Sequence, residues 1–555
     1  LEEGKPVADT FVPMEPTAYV TRRNLAGAKE LPDAPADFEN AQRGLLAAPP
    51  YRALPSLDGE EAVWHFHAFD FHTSDTPADA DSPVAAPLRR QGLLALPSGL
   101  FRVADGLYQV RGFDLANLTV VTGPRALLVI DPLGSYETAR AALALYRSTT
   151  GDTRPVRAVV HTQSGVDHFG GVRGLFTGSR TGPPAGPPAD LAVYAPDGFL
   201  ADAVLRQVTE GARQARLVDY AYGTRLGIGP LALAGSDLGR TISTGRPDFL
   251  APTDTVGGPL SAPTPRAHWP AWTGIPWQEG LYAVEAAGVR MVLRPAGGHA
   301  SPAELNLYLP AHRAVYLAGA GLLGAPGPAR AELLDATTTA FGTPAEVGLG
   351  AYGHPVWGAP YVSAWLAAHR AAAGTLPDAG AVAPLLATPG HLDTPSRTVR
   401  EVWARLTGTA LGAARPAVTA RAQLAAADGA HRDGTERYGS EQDGARRAVD
   451  AAQRAYDGGG GGGGGAVPDY ARAVLLLDPV VGACAIPSAV PAPVERRARA
   501  LQSAALTQLG YLAAHGRLRN ALLTAARDVL GPGAVAPRFA ATVHDLAVCA
   551  DPLAI

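Results

Sequence analysis

The residues of this chain that are best suited to chemistry lie in one short polar loop. Asp167 and His168 stand side by side there, shortly after an apolar run at 156–161 that predicts a buried strand. A loop that follows a strand in an α/β fold can turn its side chains into a crevice while the sheet holds its base. Carboxylate and imidazole are both zinc ligands, so the pair indicates a metal site. The alternative is an Asp167 that caps a turn and a His168 that packs at the surface.

The segments around this loop predict a βαβ unit that holds it in place. Apolar runs at 118–122 and 126–130 flank a Gly-Pro turn and predict two buried strands. Apolar residues then recur at mainly helical spacing over 136–147, and the strand at 156–161 follows. This order is typical of α/β folds, in which such a loop lies at the carboxyl edge of a sheet.

The composition is that of a globular protein with no footprint for nucleic acid. Hydrophobic residues make up 47% of the 555-residue chain and charged residues 18%, and the net charge of −4 offers no basic surface to nucleic acid or anionic lipid. Cys484 and Cys549 form no CxxC pair, which excludes a Cys-rich zinc site. No run approaches the length of a transmembrane helix. The chain begins at Leu1 without an apolar signal segment, as a mature or trimmed product would, so the sequence leaves the compartment open.

Several motifs, in order along the chain, resemble those of one enzyme family. They are Gly-Leu-Tyr-Gln-Val-Arg-Gly-Phe-Asp-Leu-Ala-Asn at 106–117, Val-Ile-Asp-Pro at 129–132, Asp-His-Phe-Gly-Gly at 167–171, Pro-Ala-Glu-Leu-Asn at 302–306 and Pro-Val-Trp-Gly at 355–358. Over most of residues 98–531 the chain is similar to the alkylsulfatases of the metallo-β-lactamase superfamily. The resemblance implies an α/β fold, a metallo-β-lactamase αββα sandwich followed by an all-α dimerisation domain, with strands of the second sheet at 282–293 and 313–317. It also implies a homodimeric two-zinc hydrolase that cleaves the sulfate ester of linear alkyl sulfates such as dodecyl sulfate.

On this resemblance the chain divides into four parts. Residues 1–97 are expected to form an extended N-terminal arm that wraps its own domain or a partner subunit. Residues 98–365 should be the metallo-β-lactamase-like domain and 366–531 the helical dimerisation-like domain, in which eight glycines at 458–465 predict a flexible loop. Residues 532–555 resemble the truncated start of a sterol-carrier-like domain. The family also makes a periplasmic or secreted location compatible with the chain.

The family's metal loop reads Thr-His-Ser-His-x-Asp-His, and this chain keeps only part of it. Asp167 and His168 match, whereas Gln163 and Gly165 stand where the family has histidines. Glycine has no side chain to coordinate with, and a neutral amide is a poor zinc ligand. One of the two metal sites is therefore expected to be almost stripped of ligands.

The later ligand positions depart from the family in the same way. The two metal-binding glutamates of the family fall on Ala300 and Gly319, and its last histidine is matched one position off by His354. Asp167, His168 and His354 with a water would be an acceptable mononuclear zinc set. At most one zinc ion is therefore expected, and no metal is the alternative.

Other residues are candidates for supporting parts in the site. Tyr222 lies in a segment that resembles the lining of the family's sulfate pocket, so it is a candidate substrate contact or a packed loop tyrosine. Asp131 is expected to orient the metal loop through hydrogen bonds. His161, His299 and Glu304 are further possible donors, with packing at a strand end the alternative for His161 and capping or ion pairing for Glu304.

Three functions are compatible with these observations. The first is a weakly active or inactive alkylsulfatase homologue, a pseudoenzyme that keeps the fold and the dimer and binds an alkyl sulfate or another apolar-tailed anion. The second is a mononuclear zinc hydrolase of sulfate or other esters. The third is a decayed sequence with no selected role. Loss of ligands at several separate positions favours the first, because a change of metal usually replaces ligands with other donors.

Overall fold

The computed structural model of the chain describes eleven segments between residues 14 and 530. They are 14–29, 35–73, 83–176, 187–258, 261–296, 303–318, 328–341, 345–374, 441–458, 467–484 and 489–530. Their strands are β1 (Leu45–Ala47), β2 (Ala53–Pro55), β3 (Ala62–His65), β4 (Gly99–Ala104), β5 (Leu107–Arg111), β6 (Leu118–Thr122), β7 (Leu127–Ile130), β8 (Val156–Val160), β9 (Ala192–Pro196), β10 (Asp254–Val256), β11 (Tyr282–Ala286), β12 (Val289–Ala296), β13 (Glu304–Leu309), β14 (Ala314–Leu317), β15 (Val347–Gly350) and β16 (Val356–Trp357).

The α-helices of the same segments number eleven. They are α1 (Ala18–Ala28), α2 (Pro35–Gln42), α3 (Ala86–Leu94), α4 (Tyr136–Thr150), α5 (Arg206–Tyr222), α6 (Pro328–Phe341), α7 (Ala359–Gly374), α8 (Glu441–Asp457), α9 (Tyr470–Ala483), α10 (Ala492–Leu512) and α11 (Gly516–Leu530). Within the part of the chain that the structure describes, no helix has the length and apolar character needed to cross a membrane.

Two sheets face each other across an apolar interior. The first has the strand order β1-β4-β5-β6-β7-β8-β9-β10 and the second the order β11-β12-β13-β14-β15-β16. Side chains of both sheets, among them Ile130, Val160 and Leu307, are fully buried between them. Helix α4 packs on the outer face of the first sheet, and α6 and α7 pack on the outer face of the second. This is the αββα sandwich that the sequence predicted.

The middle of the first sheet sets the position of the site. Strands β7 and β8 run parallel, with Ile130 opposite Val160, and every residue of β7 is buried. A strand that is covered on both faces has a continuous apolar sequence, as β7 does. Helix α4 connects the two strands. It begins after Ser135, whose side chain accepts the N–H of Thr138, and ends at Gly151 with a left-handed φ of 71°. The carboxyl ends of β7 and β8 therefore open side by side at one edge.

The C-terminal helices build a second apolar core. Helices α8 to α11 pack around buried residues such as Leu477, Leu506 and Leu522, and α5 contributes Tyr220 to the same cluster. The predicted helical character of this part of the chain is confirmed where it is described. Because α5 belongs to the sandwich part of the sequence, the two cores share this helix.

Arg519 of α11 ties the helical core to distant segments of the chain. Its side chain is fully buried, and its guanidinium donates to the carbonyls of Pro83 at 2.6 Å, Pro230 at 2.5 Å and Ala232 at 3.1 Å. The same group lies 5.1 Å from the ring centroid of Tyr511. One cation therefore donates to three backbone carbonyls, and that of Pro83 is buried and needs a donor.

The N-terminal arm differs from its prediction as an extended segment. Its described residues contain helices α1, α2 and α3 and the short strands β1 to β3. Thr17 caps α1, and its hydroxyl lies 2.6 Å from the hydroxyl of Tyr470. Val20 of α1 is buried in the C-terminal helical core. An amphipathic helix can bury its apolar face there, which an extended Pro-rich segment cannot do to the same extent.

The other sequence predictions for the fold have mixed outcomes. The predicted sandwich strands and the α4 helix are confirmed, with boundaries shifted by three residues at most. The domain boundary expected at 365/366 falls inside α7, and the division into domains stays a prediction. The C-terminal segment 532–555 and all but the first residue of the glycine run 458–465 lie outside the described residues.

Replacing Arg519 by Met should lower the free energy of unfolding by roughly 3 kcal/mol, because its fully buried guanidinium is lost and the buried carbonyl of Pro83 and two partly buried carbonyls lose their donor. Chemical denaturation followed by circular dichroism would measure it. Arg497, which pairs with Asp450 with about half of its side chain exposed, is the matched control, and Arg497→Met should cost less than about 0.5 kcal/mol. Equal losses in the two variants would contradict the anchoring function of Arg519.

Candidate active site

The candidate site lies where strands of the two sheets end next to each other. Asp131 follows β7, the loop with His168 follows β8, and Tyr352 follows β15 of the second sheet. The N–H of Asp131 donates to the carbonyl of Val160 at 3.0 Å, which holds the first two segments together. Carboxyl ends of adjacent parallel strands converge at one edge, and loops there can direct polar side chains at a common point.

Asp131 fixes the base of the loop. Its backbone has a φ of 53°, which a residue with a β-carbon rarely adopts. Its Oδ1 accepts the N–H of Thr162 at 2.8 Å, and its Oδ2 accepts the hydroxyls of Thr162 at 2.6 Å and Tyr316 at 2.8 Å. Oδ2 also lies 3.1 Å from Nδ1 of His168. These contacts agree with the predicted orienting function of Asp131, and they offset the cost of its backbone conformation.

Asp167, His168 and Tyr352 form a closed polar triangle. Nε2 of His168 lies 2.8 Å from the Tyr352 hydroxyl, which donates in turn to Oδ2 of Asp167 at 2.6 Å. The distance between Nε2 and that carboxylate oxygen is 3.7 Å. His168 is fully buried, and Asp167 and Tyr352 are each 8% exposed. The tyrosine hydroxyl therefore stands between the two residues that the sequence singled out as metal ligands.

The charges of the site agree with this direction of hydrogen bonding. Burial by itself lowers the pKa of His168, but the carboxylates of Asp131 and Asp167 outweigh it and raise that pKa to about 9. Burial and the charge of Asp167 raise the pKa of Tyr352 well above its ordinary value. Near neutral pH His168 is therefore an imidazolium that donates from both nitrogens, and Tyr352 keeps its proton and donates to Asp167.

Gln163 and Gly165, which stand where the resembled family has histidines, each have specific contacts in the loop. The amide of Gln163 donates to Oε1 of Glu304 at 2.7 Å, and a β-bridge joins the same two residues. The N–H of Leu305 also donates to the carbonyl of Thr162 at 2.8 Å. At Gly165 an added Cβ would lie 2.8 Å from Oδ1 of Asp167, which is too close for a side chain. The loop is thus joined to β13 of the second sheet and packed tightly around Gly165.

His354 is not part of the triangle. It is half-buried and lines a cavity of about 310 Å³, one wall of which is Tyr352. Burial, followed by the positive charge of Arg111, lowers the pKa of His354 to about 4. The structure therefore brings Asp131, Asp167 and His168 together and places His354 against a neighbouring cavity.

Tyr222 and His161 are two further candidates from the sequence. Tyr222 ends α5, is half-buried, and its phenol contributes to the raised pKa of Tyr352. Its contact with substrate stays a prediction. His161 is stacked on Phe199 with ring centroids 5.3 Å apart, and its Nδ1 lies 3.1 Å from the carbonyl of His168. These contacts match the packing alternative for His161 rather than a donor in the site.

The donor set that the structure describes does not fit a zinc centre. Within the described ranges, no group of three or more His, Cys, Asp or Glu residues could hold a metal ion. Nε2 of His168 and Oδ2 of Asp167, the atoms that would be offered to an ion, both contact the Tyr352 hydroxyl. His299, Ala300 and Gly319 lie outside the described residues.

Sequence reasoning did not find Tyr352 or Tyr316. Tyr352 opens the segment Tyr352-Gly-His-Pro, in which the resembled family begins with a histidine, and this departure was the available signal. Tyr316 lies inside a buried strand and carried no signal, since a tyrosine in a strand is usually a packing residue. Glu304, a possible further donor with capping or ion pairing as the alternative, accepts a hydrogen bond from Gln163, which the sequence did not predict.

Burial gives His161 a testable effect on stability. It lowers the pKa of His161 to about 4, against an ordinary value of 6.5, so the unfolded chain binds a proton that the folded chain does not. Relative to His161→Gln, the wild-type protein should lose up to about 1.4 kcal/mol of unfolding free energy per pH unit as the pH falls from 6.5 towards 4. The exposed His65→Gln variant should keep the wild-type profile. Parallel urea-denaturation profiles for wild type and His161→Gln would refute this assignment.

Parts of the sequence are similar to known sulfatases. No protein-family model matches the chain. Over 235 residues it is 38% identical to a linear primary-alkylsulfatase of Pseudomonas sp., a match that covers 42% of this chain and 33% of that protein. Over 368 residues it is 31% identical to an (R)-specific secondary-alkylsulfatase of Pseudomonas sp., covering 64% of this chain and 51% of that one. The chain thus spans a third to a half of the length of these relatives.

A solved structure agrees with the sequence matches. The stereoselective inverting sec-alkylsulfatase Pisa1 from Pseudomonas sp. superposes with a TM-score of 0.70 and 26% identity, covering 95% of this chain and 81% of that one. The likeness therefore extends through both the sandwich and the C-terminal helices. In sequence and in fold the chain is therefore similar to the alkylsulfatases.

Proposed function

We propose that this chain is an alkylsulfatase homologue with a degraded metal site, which binds an anion with an apolar tail and hydrolyses sulfate esters weakly or not at all. The observation that carries the proposal is the Tyr352 hydroxyl between His168 and Asp167. An alkylsulfatase of the metallo-β-lactamase type needs ions that generate a nucleophile from water. Ligand atoms that are already hydrogen-bonded to a buried tyrosine are poorly available to such ions.

The cavity beside Tyr352 supports the binding part of the proposal. Its walls include Leu94, Leu238, Leu317, Val356 and Trp365. An apolar chain that enters this space gains by removal from water, at about 0.8 kcal/mol per buried methylene. The volume of about 310 Å³ is at the lower end of the range for small-molecule sites. The apolar walls are what an alkyl tail requires.

The charges around the cavity favour an anionic head group. A smaller chamber shares His354 and Leu238 with the main cavity and is lined in addition by Arg111 and Arg240. The donors of Arg240 are engaged by backbone carbonyls and Ser98, whereas Nε of Arg111 has no hydrogen-bond partner in the described structure. Arg111 is 5% exposed, so its charge is largely desolvated and would attract an anion.

The acidic residues of the cavity do not cancel this preference. Asp37 is paired with Arg90 at 2.6 Å. Asp237 accepts the backbone N–H groups of Gly516 and Arg517 and lies 3.5 Å from the Arg517 guanidinium. Their charges are therefore locally neutralised. Asp114, which lines the smaller chamber, accepts three backbone N–H groups of its own. An alkyl sulfate or a similar amphiphilic anion is therefore the ligand class that we propose.

Metal content and turnover test the catalytic part of the proposal. The purified protein, dialysed against excess zinc, should contain well under one zinc per chain by elemental mass spectrometry and should release little or no sulfate from dodecyl sulfate. About two zincs per chain would overturn the proposal, since a binuclear site needs more ligands than the described residues supply. One zinc with turnover that is lost in both His168→Ala and His354→Ala would favour the mononuclear hydrolase that uses Asp167, His168 and His354.

Calorimetric titration with decyl sulfate, below its micellar concentration, tests the binding part. Decyl sulfate should bind more tightly than decanol, because the head group gains from the positive end of the cavity. Leu94→Glu should weaken binding of decyl sulfate at least about tenfold, since it places a charge on the apolar wall. Leu57 is 52% exposed and lies outside the cavity lining, so Leu57→Glu is the matched control and should leave the affinity unchanged. Equal affinities in the two variants would exclude this cavity as the binding site.

A further inference from the structure

Gln163 and Gly165, which stand at two of the altered ligand positions, and Tyr352 contact one connected set of polar residues. Gln163 pairs with Glu304, Gly165 faces Asp167, and Tyr352 contacts both Asp167 and His168. We infer that the Tyr352 hydroxyl takes the place of a metal ion and that these residues form one polar core that is complete without metal. This inference deepens the proposed function and rests on it in one respect, that the wild-type chain holds no ion between Asp167 and His168.

The hydroxyl of Tyr352 has the bonding capacity that this place requires. A metal ion attracts a nitrogen lone pair and a carboxylate oxygen at the same time, and so joins two groups that would otherwise not bond. A phenolic hydroxyl can lie between an imidazole nitrogen and a carboxylate because it has both a donor and an acceptor. Its oxygen lies 2.8 Å from Nε2 of His168 and 2.6 Å from Oδ2 of Asp167, both normal hydrogen-bond lengths.

The side chains of the core fill the space next to Gly165. An added Cβ would lie 2.8 Å from Oδ1 of Asp167, 3.3 Å from Oε1 of Gln163 and 3.3 Å from Cδ2 of His168. The carboxylate, the amide and the imidazole therefore occupy the room that a larger residue would need. A side chain at 165 would require the carboxylate of Asp167 to shift, and that carboxylate accepts the hydrogen bond of Tyr352.

Gln163 closes the side of the loop that faces the second sheet. Glu304 is 5% exposed, and a carboxylate at that depth needs a donor. The Gln163 amide supplies one at 2.7 Å, and the β-bridge between the two residues holds their backbones in register. A neutral amide is a weak metal ligand but a good hydrogen-bond donor, which suits it to a core without an ion.

The buried polar atoms of this core all have hydrogen-bond partners, which distinguishes it from a site that has lost its ligands at random. Loss of ligands one by one would leave buried polar atoms without partners, and such atoms are costly. Within the described residues, no side-chain nitrogen or oxygen of this core is both buried and without a hydrogen bond, for any of its members Asp131, Gln163, Asp167, His168, Glu304 and Tyr352. The substitutions are therefore mutually compensated.

A double-mutant cycle tests the place of the hydroxyl. Tyr352→Phe removes only that oxygen and should lower Tm by about 3 °C or more, because it leaves His168 and Asp167 buried without their shared partner. Combined with Asp167→Asn, its loss should be clearly less than additive. Tyr282 is also 8% exposed and donates to the Ser261 carbonyl at 2.9 Å, so Tyr282→Phe is the matched control and should be additive with Asp167→Asn.

A second variant tests whether the Tyr352 hydroxyl occupies the position of a metal ion. Tyr352→His offers a third donor beside Asp167 and His168, so zinc should raise the Tm of this variant and leave that of the wild type unchanged. Adding His168→Ala to Tyr352→His should abolish the zinc response. If Tyr352→His folds but does not respond to zinc, Tyr352 does not mark an ion's place.

The two experiments separate failure of this inference from failure of the proposed function. A Tyr352→Phe variant as stable as the wild type, or one strictly additive with Asp167→Asn, would overturn the inference even in a protein that holds no zinc. The double-mutant cycle of Tyr352→Phe and Asp167→Asn still tests the inference if Tyr352→His does not fold. Zinc and sulfate release in the wild type would overturn the proposed function, whichever result the cycle gives.

Discussion

The buried carboxylate of Asp131 demands hydrogen-bond donors, and the way this demand is met sets the geometry of the whole site. Two of its donors come from Thr162 in the next loop, one from Tyr316 in the second sheet, and one from the imidazole of His168. These partners come from both sheets of the sandwich. Satisfying one fully buried charge therefore fixes the loop after β8 against the opposite sheet, and the positions of Asp167 and His168 follow from it.

Likeness to a family in fold and the chemistry of the active site are separable in this protein. The sandwich, the C-terminal helices and the likeness to known alkylsulfatases come from hundreds of residues, whereas a metal centre depends on a handful. Exchange of a few donors can therefore change the chemistry while the apolar core that defines the fold stays the same. Residues such as Ile130 and Leu307 pack between the sheets whether or not an ion lies at their edge.

The sequence predicted those parts of the fold that depend on local patterns. The apolar runs of β6, β7 and β8 and the helical spacing of α4 are local, and each was found close to its predicted bounds. The helices of the N-terminal arm were not predicted, because α1 is a weak helix by composition and is held by a residue that lies 491 positions later in the chain. Local propensity carries little information about such an element.

The candidate site was predicted only in part, for a similar reason. Asp131, Asp167 and His168 follow strands that are adjacent in the sheet, so their meeting could be expected from topology. Tyr352 meets His168 across 184 residues of sequence and from the other sheet, which no local pattern reveals. His354 was predicted as a ligand because it matches the family's last histidine one position off, and the loop after β15 places it against the cavity.

The N-terminal helix has a consequence for how the chain is made. The N–H of Thr17 donates to Gln508, the amide of Gln508 donates to the carbonyl of Glu15, and Asn24 donates to the carbonyl of Tyr511. These partners are separated by 487 to 493 residues. At synthesis rates of about 5–20 residues per second, α1 waits on the order of 25–100 s before its docking surface leaves the ribosome. An isolated helix of this length is marginal in water, so this part of the fold is completed only after α10 has been synthesised.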